Sequence, residues 1–395
     1  MDNEVKKMSA ADIEAMYDLV TYAFHSERTP QRRARFEEIA QHSNNYGFFM
    51  GGELTSQVMA TPFQVKIFGQ PYKMAGIGYV ASYPEFRGSG GISTIMKTML
   101  QELAKQEVAL SYLAPFSYPF YRKYGYEQVF EQAEITIKAA EWPHVKRVDG
   151  TIRRVGWEIG KTAVKNIYGQ VKKVRHGGLK REDWWFDYAL NRNPKDHLAI
   201  YQTPEGVDEG YVKYRIEGSR FEIVEWNYLS KQAFQALAGF IGSHNGAVAT
   251  FHWVIGYGGH DLNYLLPTPS ATVKILPYMM ARIVNLTTFL RSYPFQAGTS
   301  ERFYLSITDE YGPWNQGLWQ LDISSQGNSS FKKITAETEQ LADIDASIQT
   351  WTQWLMGYRS GEELDFYGRL SGNKEAIAAL AKRINQRQPI LEDYF

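Results

Sequence analysis

Tyr79-Val80-Ala81-Ser82-Tyr83-Pro84-Glu85-Phe86-Arg87-Gly88-Ser89-Gly90-Gly91-Ile92-Ser93 reads as a strand that ends, turns through a glycine-rich loop and opens directly into a helix. The helix is well marked, because Ile92, Ile95, Met96, Met99, Leu100 and Leu103 share one face of a 3.6-residue period. Such a loop leaves several backbone N–H groups unpaired and aligned at a helix start. With the positive end of the helix dipole they make a seat for a pyrophosphate. Glycine suits the place because a Cβ would hold the backbone away from the phosphate oxygens. An ordinary strand-to-helix turn uses the same residues, so spacing must discriminate. No Lys-Ser/Thr pair follows the glycines, which excludes a Walker-type loop, and the G-x-G-x-x-G spacing of a dinucleotide fold is not met.

Upstream of this stretch, Ser9 with Asp12 forms a capping pair, and Ile13, Met16, Tyr17, Val20 and Phe24 follow helical spacing. Strand-like runs follow at Tyr46–Met50, Leu54–Thr61, Phe63–Phe68 and Tyr72–Ser82. Downstream of the Ser89–Gln106 helix come an apolar run Val108–Ala114, a short helical piece at Tyr118–Tyr124 and a strand Gln128–Lys138 that closes the unit. Meandering strands beside one phosphate-facing helix make this an α+β (mixed α/β) unit rather than a doubly wound sheet. A second region from Glu141 to about Pro267 repeats the strand, hairpin, helix, strand order, with Ser230–Gly242 as its helix, but has no second P-x-x-R-x-x-G. It reads as a degenerate copy without the phosphate seat. A third region has a helix expected from Val273–Met280 to about Tyr293, strands Phe303–Thr308 and Gly317–Ile323, and helices Ala342–Met356 and Asn373–Ile384. The expected domains are 1–140, 141–270 and 271–395.

A chain of 395 residues accommodates two or three cores, since single cores stop growing near about 250 residues. Lys+Arg and Asp+Glu balance at 43 each, which gives no electrostatic case for a nucleic-acid partner. The basic stretch Lys161–Arg181 with Trp184-Trp185 is read as a packed aromatic anchor rather than a nucleic-acid surface. With no cysteine there is no thiol catalysis, disulfide or cysteine-based zinc site, and the eight histidines lack metal-ligand spacing. No metal is expected. The N-terminus lacks the apolar core of a signal peptide and no apolar run is long enough to span a membrane, so the expectation is a cytoplasmic protein without a membrane partner.

About 30 residues past the loop lies Phe120-Tyr121-Arg122-Lys123-Tyr124-Gly125-Tyr126-Glu127. A tyrosine hydroxyl here is suited to donate a proton to a leaving sulfur; with 26 tyrosines in the chain, any one of them is also a core candidate. The tail Pro389-Ile390-Leu391-Glu392-Asp393-Tyr394-Phe395 is too apolar for a frayed end, so it is expected to dock.

The pattern Pro84, Arg87, Gly90 resembles the acetyl-CoA signature of the GCN5-related N-acetyltransferases (GNAT), with Ile92 at its final small-residue position. The loop, the tyrosine run, the three-part layout and the terminal Phe395 together are similar to the Eis ("enhanced intracellular survival") family across essentially the whole chain. That resemblance implies tandem GNAT domains, the second degenerate, and a C-terminal domain like sterol carrier protein. It implies an acetyl-CoA-dependent N-acetyltransferase of a small-molecule or peptide amine (aminoglycoside, polyamine-like or lysine), and a homohexamer. Val80, Ala81 and Ser82 would pair with the pantetheine amides. Gly88, Ser89, Gly90, Gly91, Ile92 and Ser93 would hold the pyrophosphate, with Arg87 nearby and Tyr121 and Arg122 on the far wall. Tyr126 would be the general acid, with Tyr121 the choice of the wider superfamily, and the Phe395 carboxylate the general base. Glu27, Glu392 and Asp393 are candidate acidic contacts to the amine, although the penultimate Tyr394 departs from the acidic lining of aminoglycoside-acetylating members. The alternative is a ligand-binding or scaffolding protein with a relic acetyltransferase fold.

Overall fold

The computed structural model describes residues 3–171, 176–258, 263, 266, 268–334 and 340–395. Part of the basic stretch 161–181 therefore lies outside the described residues. By compactness the chain forms two units: Met1–Val129 with Tyr278–Pro389 and Tyr394–Phe395, and Phe130–Pro277 with Ile390–Asp393.

The first unit begins with β1 (Asn3–Met8), which the sequence reading missed, then α1 (Ile13–Ala23) and α2 (Pro30–Gln41). The Ser9–Asp12 capping pair forms, at the short 3₁₀ turn that leads into α1. Helix α2 has little apolar periodicity, so its signals are local: the Thr29 hydroxyl accepts the Arg32 amide and Pro30 occupies the first turn. Strands β2 (Asn44–Met50), β3 (Glu53–Ile67) and β4 (Gln70–Ser82) form an antiparallel meander. Two runs expected on either side of Pro62 are a single strand. The β2 ladder stops at Ala60, so the missing Pro62 N–H interrupts no rung with β2. Helix α3 (Gly91–Lys105) crosses over to β5 (Leu110–Leu113), which pairs parallel to β4; α4 (Tyr118–Arg122) and the two-residue β6 (Glu127–Gln128) follow. Ile95, Met96, Met99 and Leu100 of α3 are fully buried against Tyr46, Phe48, Val58 and Ile77. Each such side chain contributes about 1.5–3 kcal/mol by leaving water.

The second unit holds β7 (Glu131–Lys138), β8 (Thr151–Val155), α5 (Trp157–Val171), β9 (Leu179–Lys180), α6 (Asp183–Leu190), β10 (His197–Gln202), β11 (Asp208–Glu217), β12 (Arg220–Tyr228), α7 (Lys231–Gly242), β13 (Thr250–Gly256) and β14 (Thr272–Pro277). Its sheet has the order β14-β7-β13-β12-β11-β10-β8. The β12–α7–β13 crossover is parallel, with Ile223 opposite Trp253 as its last rung, and so repeats the β4–α3–β5 unit. The run Gln128–Lys138, expected as one closing strand, is two: β6 belongs to the first sheet, and β7 to the second, next to its edge strand β14 and paired on the other side with β13.

The chain then returns to the first unit as β15 (Met280–Ile283), inserted between β5 and β6. The helix expected from Val273 to Tyr293 is instead β14, β15 and the short α8 (Leu286–Arg291). Alternation in Thr272–Leu276 and the break at Pro277 favour strand over helix there. A five-stranded sheet, β18-β17-β16-β19-β20, completes the unit from β16 (Glu301–Thr308), β17 (Gly317–Ile323), β18 (Ser329–Lys333), β19 (Ile344–Ser347) and β20 (Leu370–Gly372). It carries α9 (Ile348–Leu355), α10 (Gly361–Phe366) and α11 (Lys374–Arg383).

Candidate active site

The cleft follows from how β4 leaves β5. Their ladder ends at Ile77 opposite Leu113, yet β4 runs five residues further to Ser82, paired on that length only with β3. Its register with β3 slips at this point, and Tyr79 sits at φ 51°. A left-handed non-glycine residue costs on the order of 1 kcal/mol, so the bulge is held by its surroundings. The parted strands leave one edge of β4 open beside a cavity of about 780 Å³. That edge offers backbone donors and acceptors to an amide-bearing chain in the manner of an added strand.

Val80, Ala81 and Ser82 line this cavity, as do Arg87, Gly88, Gly90, Gly91, Ile92 and Ser93. Each glycine of the loop has its own reason. Gly88 and Gly90 both adopt φ 86°, which an L side chain resists. A Cβ on Gly91 would lie 2.7 Å from Ser56 Oγ and 2.9 Å from Phe48, so glycine there lets α3 sit close on the sheet. Gly90 caps α3 without a side chain, leaving the amides of Gly91, Ile92 and Ser93 facing outward at the helix start. Ile92 does not obstruct the loop, since its side chain packs partly into the α3 core. Ser89 is exposed, its amide donates to Phe86 O, and it is not among the lining residues.

The tyrosine run is distributed differently from the expectation. Arg122 does not reach the cavity; its guanidinium makes a two-pronged pair with Glu127, both bonds 2.8 Å. Phe120, Lys123 and Tyr124 line it instead, together with Phe24 and Phe116. The Tyr124 hydroxyl lies 2.9 Å from Ser93 Oγ, and Lys123 Nζ donates to the same oxygen at 3.2 Å. Sequence reasoning missed these residues although three of them, Phe120, Lys123 and Tyr124, stood in the quoted run. The Lys123 cation is visible in the sequence, but the side to which it points is not. Tyr121 is buried, in edge contact with Phe116, Phe120 and Tyr126, and burial raises its pKa well above the ordinary tyrosine value.

Tyr126 is fully buried, its hydroxyl 2.7 Å from Ser111 Oγ, which in turn donates to Ala75 O at 3.0 Å. Burial pushes its pKa up to about 12, with the Ser111 hydrogen bond and the Arg282 cation opposing the rise. The ring is therefore neutral, and a proton donor, at physiological pH. Arg282 on β15, fully buried, organises the turn before Tyr126. It donates to Tyr124 O and to Asp309 Oδ2 (2.6 Å), while Asn315 holds the same Asp309 oxygen at 2.9 Å. Gly125, at φ 85°, leaves room for it, because a Cβ there would lie 2.7 Å from Arg282 Nη1. Neither Arg282 nor Asp309 carried any sequence signal.

Phe395 is docked, not frayed. Its ring lies 5.3 Å from that of Phe63 and rests on Gly76, while its carboxyl lies beside Gly78. Gly76 and Gly78 share one face of β4, and Ala75, whose carbonyl receives Ser111, immediately precedes them. The terminal carboxyl and the Ser111–Tyr126 pair thus meet β4 at points about 10 Å apart along the strand, at the fork.

The acidic candidates divide. Glu27 is exposed beyond α1. Within the second unit Asp393 is buried and committed: it accepts from Arg181 Nε at 2.7 Å and from the Trp185 indole at 2.9 Å. It is removed from the candidate amine contacts, because both donors are internal. Trp185, fully buried, is the anchor expected of the Trp184-Trp185 pair. Glu392 lines a separate cavity of that unit. Among the described residues there is no group of three potential metal ligands, and no helix is long and apolar enough to cross a membrane.

A strand fork opening beside an uncapped glycine-rich helix start offers a free strand edge and a set of unpaired amides to one cleft. Residues 4–129 match an acetyltransferase (GNAT) domain, 177–283 a second acetyltransferase (GNAT) domain and 286–392 a sterol carrier protein domain. A probable N-acyltransferase of unknown function from Enterococcus faecalis V583 is 58% identical over the whole of both chains, with a TM-score of 0.96. A GCN5-related N-acetyltransferase from Anabaena variabilis (22% identity, TM-score 0.87) and Eis1 from Mycobacterium abscessus (18%, 0.79) share the fold, again over the whole of both chains. No protein of curated function matches the sequence. The chain belongs with the GCN5-related N-acetyltransferases, and it is an N-acetyltransferase with tandem acetyltransferase domains and a sterol-carrier-like domain.

Proposed function

We propose that this protein transfers acetyl from acetyl-CoA to an amine by direct attack, with Phe395 as general base and Tyr126 as general acid. The observation that carries the reading is the terminal residue: an apolar ring seated on Gly76 with its carboxyl beside Gly78, at the fork where β4 and β5 part. The residues fit the co-substrate. The open edge of β4 at Val80–Ser82 suits a pantetheine arm, the glycine-imposed loop and uncapped amides suit a pyrophosphate, and Lys123 and Arg87 supply cations. When bound, acetyl-CoA supplies the acetyl thioester.

The carboxylate of Phe395 takes a proton from the incoming ammonium or amine, directly or through water, which frees the nitrogen lone pair for attack on the acetyl carbon. Tyr126 gives its hydroxyl proton to the sulfur as the carbon–sulfur bond breaks, its O–H turning from Ser111 Oγ, whose own O–H turns from Ala75 O to the phenolate oxygen left behind. Tyr121 is the alternative donor. The amine is a small-molecule or peptide amine. The Asp393 ion pair and the non-acidic Tyr394 speak against an aminoglycoside-type acidic lining from the tail. The functional domains are proposed as 1–140, 141–270 and 271–395, the assembly as a homohexamer, and the compartment as the cytoplasm; sedimentation tests the assembly.

An amine panel of aminoglycosides, polyamines and lysine peptides, read by released CoA thiol, tests activity and class together. The chain has no cysteine, so a thiol reagent reports CoA alone. Tyr126→Phe, or one residue added after Phe395, is expected to lower turnover by about 10²-fold or more while acetyl-CoA still binds. Wild-type rates in both variants would rule the mechanism out.

A further inference from the structure

The second unit repeats the strand fork without the phosphate loop. After the rung Ile223–Trp253, β12 continues to Tyr228 paired with β11, and β13 continues to Gly256 paired with β7. The two strands part just as β4 and β5 do. What differs is the mouth. Between β12 and α7 stand only Leu229 and Ser230, where 83–90 stand between β4 and α3. No glycine is among them, and the Ser230 hydroxyl caps the helix by accepting the Ala233 amide at 3.1 Å. This fork cannot seat a pyrophosphate.

It is nevertheless hollow. A cavity of about 150 Å³ occupies it, bounded by the β12 and β13 residues beyond the last rung and by α7. Its walls are rings: Trp142, Trp226, Trp253, Tyr228 and Phe234. Trp226 and Phe234 are stacked at 5.4 Å and 9°, and Trp142 lies 6.3 Å from Trp226 and 6.2 Å from Trp253. A space of about 150 Å³ is large enough for one benzene-sized molecule. Two carboxylates line it, Glu392 and Glu225, the second of them engaged by Arg181 and Tyr211. One polar group is left over. The Trp226 indole N–H is buried and has no acceptor among the described residues, whereas that of Trp142 donates to Ala238 O at 2.8 Å. An unmade hydrogen bond of this kind costs about 1–3 kcal/mol, which a ligand acceptor would recover.

We propose that the fork of the second unit is a binding site for a small, uncharged, single-ring aromatic molecule that carries one hydrogen-bond acceptor, received by the Trp226 indole N–H. The duplicated acyl-CoA cleft has kept its hydrophobic arm channel and lost its phosphate mouth. The site is separate from the acyl-CoA cleft and does not rest on the acetyl-transfer mechanism.

Acetophenone, which has a ring and one carbonyl acceptor, and α-methylstyrene, its near-isostere without the acceptor, are the probes. Titration of the full chain is followed by the indole N–H resonances, with Trp226→Phe assigning the signal. Acetophenone is expected to bind saturably, to shift the Trp226 indole signal, and to bind about fivefold more tightly than α-methylstyrene. Trp226→Phe, which keeps the ring wall, is expected to erase that preference, and Ala238→Phe to fill the cavity and abolish binding of both. Saturating CoA should leave acetophenone binding unchanged. No saturable binding to the wild type, an unchanged preference in Trp226→Phe, or displacement by CoA overturns the proposal.

Discussion

Replacing Gly76 with alanine tests the placement of the terminal carboxylate without touching any polar group. A Cβ at Gly76 would lie 2.6 and 2.8 Å from two ring carbons of Phe395 and 2.9 Å from Phe63. Carbon atoms in contact sit about 3.5–4.0 Å apart, so the Phe395 ring must retreat by about 1 Å. The backbone of Gly76 lies in ordinary strand geometry, so the substitution brings no φ penalty. Overpacking of this order costs about 1–3 kcal/mol, and the ring carries the carboxylate with it. A displacement of about 1 Å in a proton acceptor costs about 10²-fold in rate. Gly78→Ala is the matched control, because its Cβ would meet the Phe395 carboxyl only at 3.4 and 3.6 Å, which is ordinary contact. The expected result is a kcat lowered about 10²-fold in Gly76→Ala, with the KM for acetyl-CoA unchanged, and a kcat within about threefold of wild type in Gly78→Ala. Thiol release gives the rates and thermal unfolding shows that both variants fold. Equal activity in the two variants, or full activity in Gly76→Ala, would refute the docking of Phe395 as the source of the base.

Gly90→Val forces a β-branched residue to φ 86° at the start of α3 and should weaken acetyl-CoA binding at least tenfold by calorimetry, with the unfolding midpoint little changed. Because the Tyr126 pKa is raised to about 12, the hydroxyl stays protonated through neutral and moderately alkaline pH, so kcat should show no alkaline decline from this group below about pH 10. The same shift bears on stability with a definite sign. A folded pKa above the unfolded value contributes stability that is complete below about pH 10 and is lost as pH rises through about 12, so Tyr126→Phe should flatten the alkaline loss of stability over that window. Arg181→Met leaves Asp393 and Glu225 buried without their cation and should destabilise the second unit by about 3–5 kcal/mol, read as a lowered unfolding midpoint; Arg181→Lys should rescue it only in part.

The parts of the site that could be read from the sequence are those whose reasons are local. The Val80–Ser93 segment needs only a strand end, glycines at two left-handed positions and an uncapped helix start, and all of these follow from residues within a few places of one another. The apolar face of α3 follows for the same reason. The tyrosine run was visible as a run, but not the assignment within it. Arg122 faces Glu127, while Lys123 and Tyr124 face the cavity, because a five-residue helix gives too little periodicity to set which side is inward. Asp393 looked like a substrate contact and is instead half of a buried ion pair with a residue 212 positions away.

What the amino-acid sequence determined by itself was local: a glycine-rich loop opening into a helix, a run of tyrosines soon after it and an apolar tail that would not fray. These depend on backbone dihedral preference, helix-end amides and hydrophobicity, which act over short stretches of chain. Only the tertiary structure decided where β4 parts from β5, that β15 returns to bring Arg282 under Tyr124, and that Phe395 lies on Gly76 and Gly78. Those are contacts between residues far apart in the chain, selected by packing volume and buried charge, and no single stretch of sequence carries them.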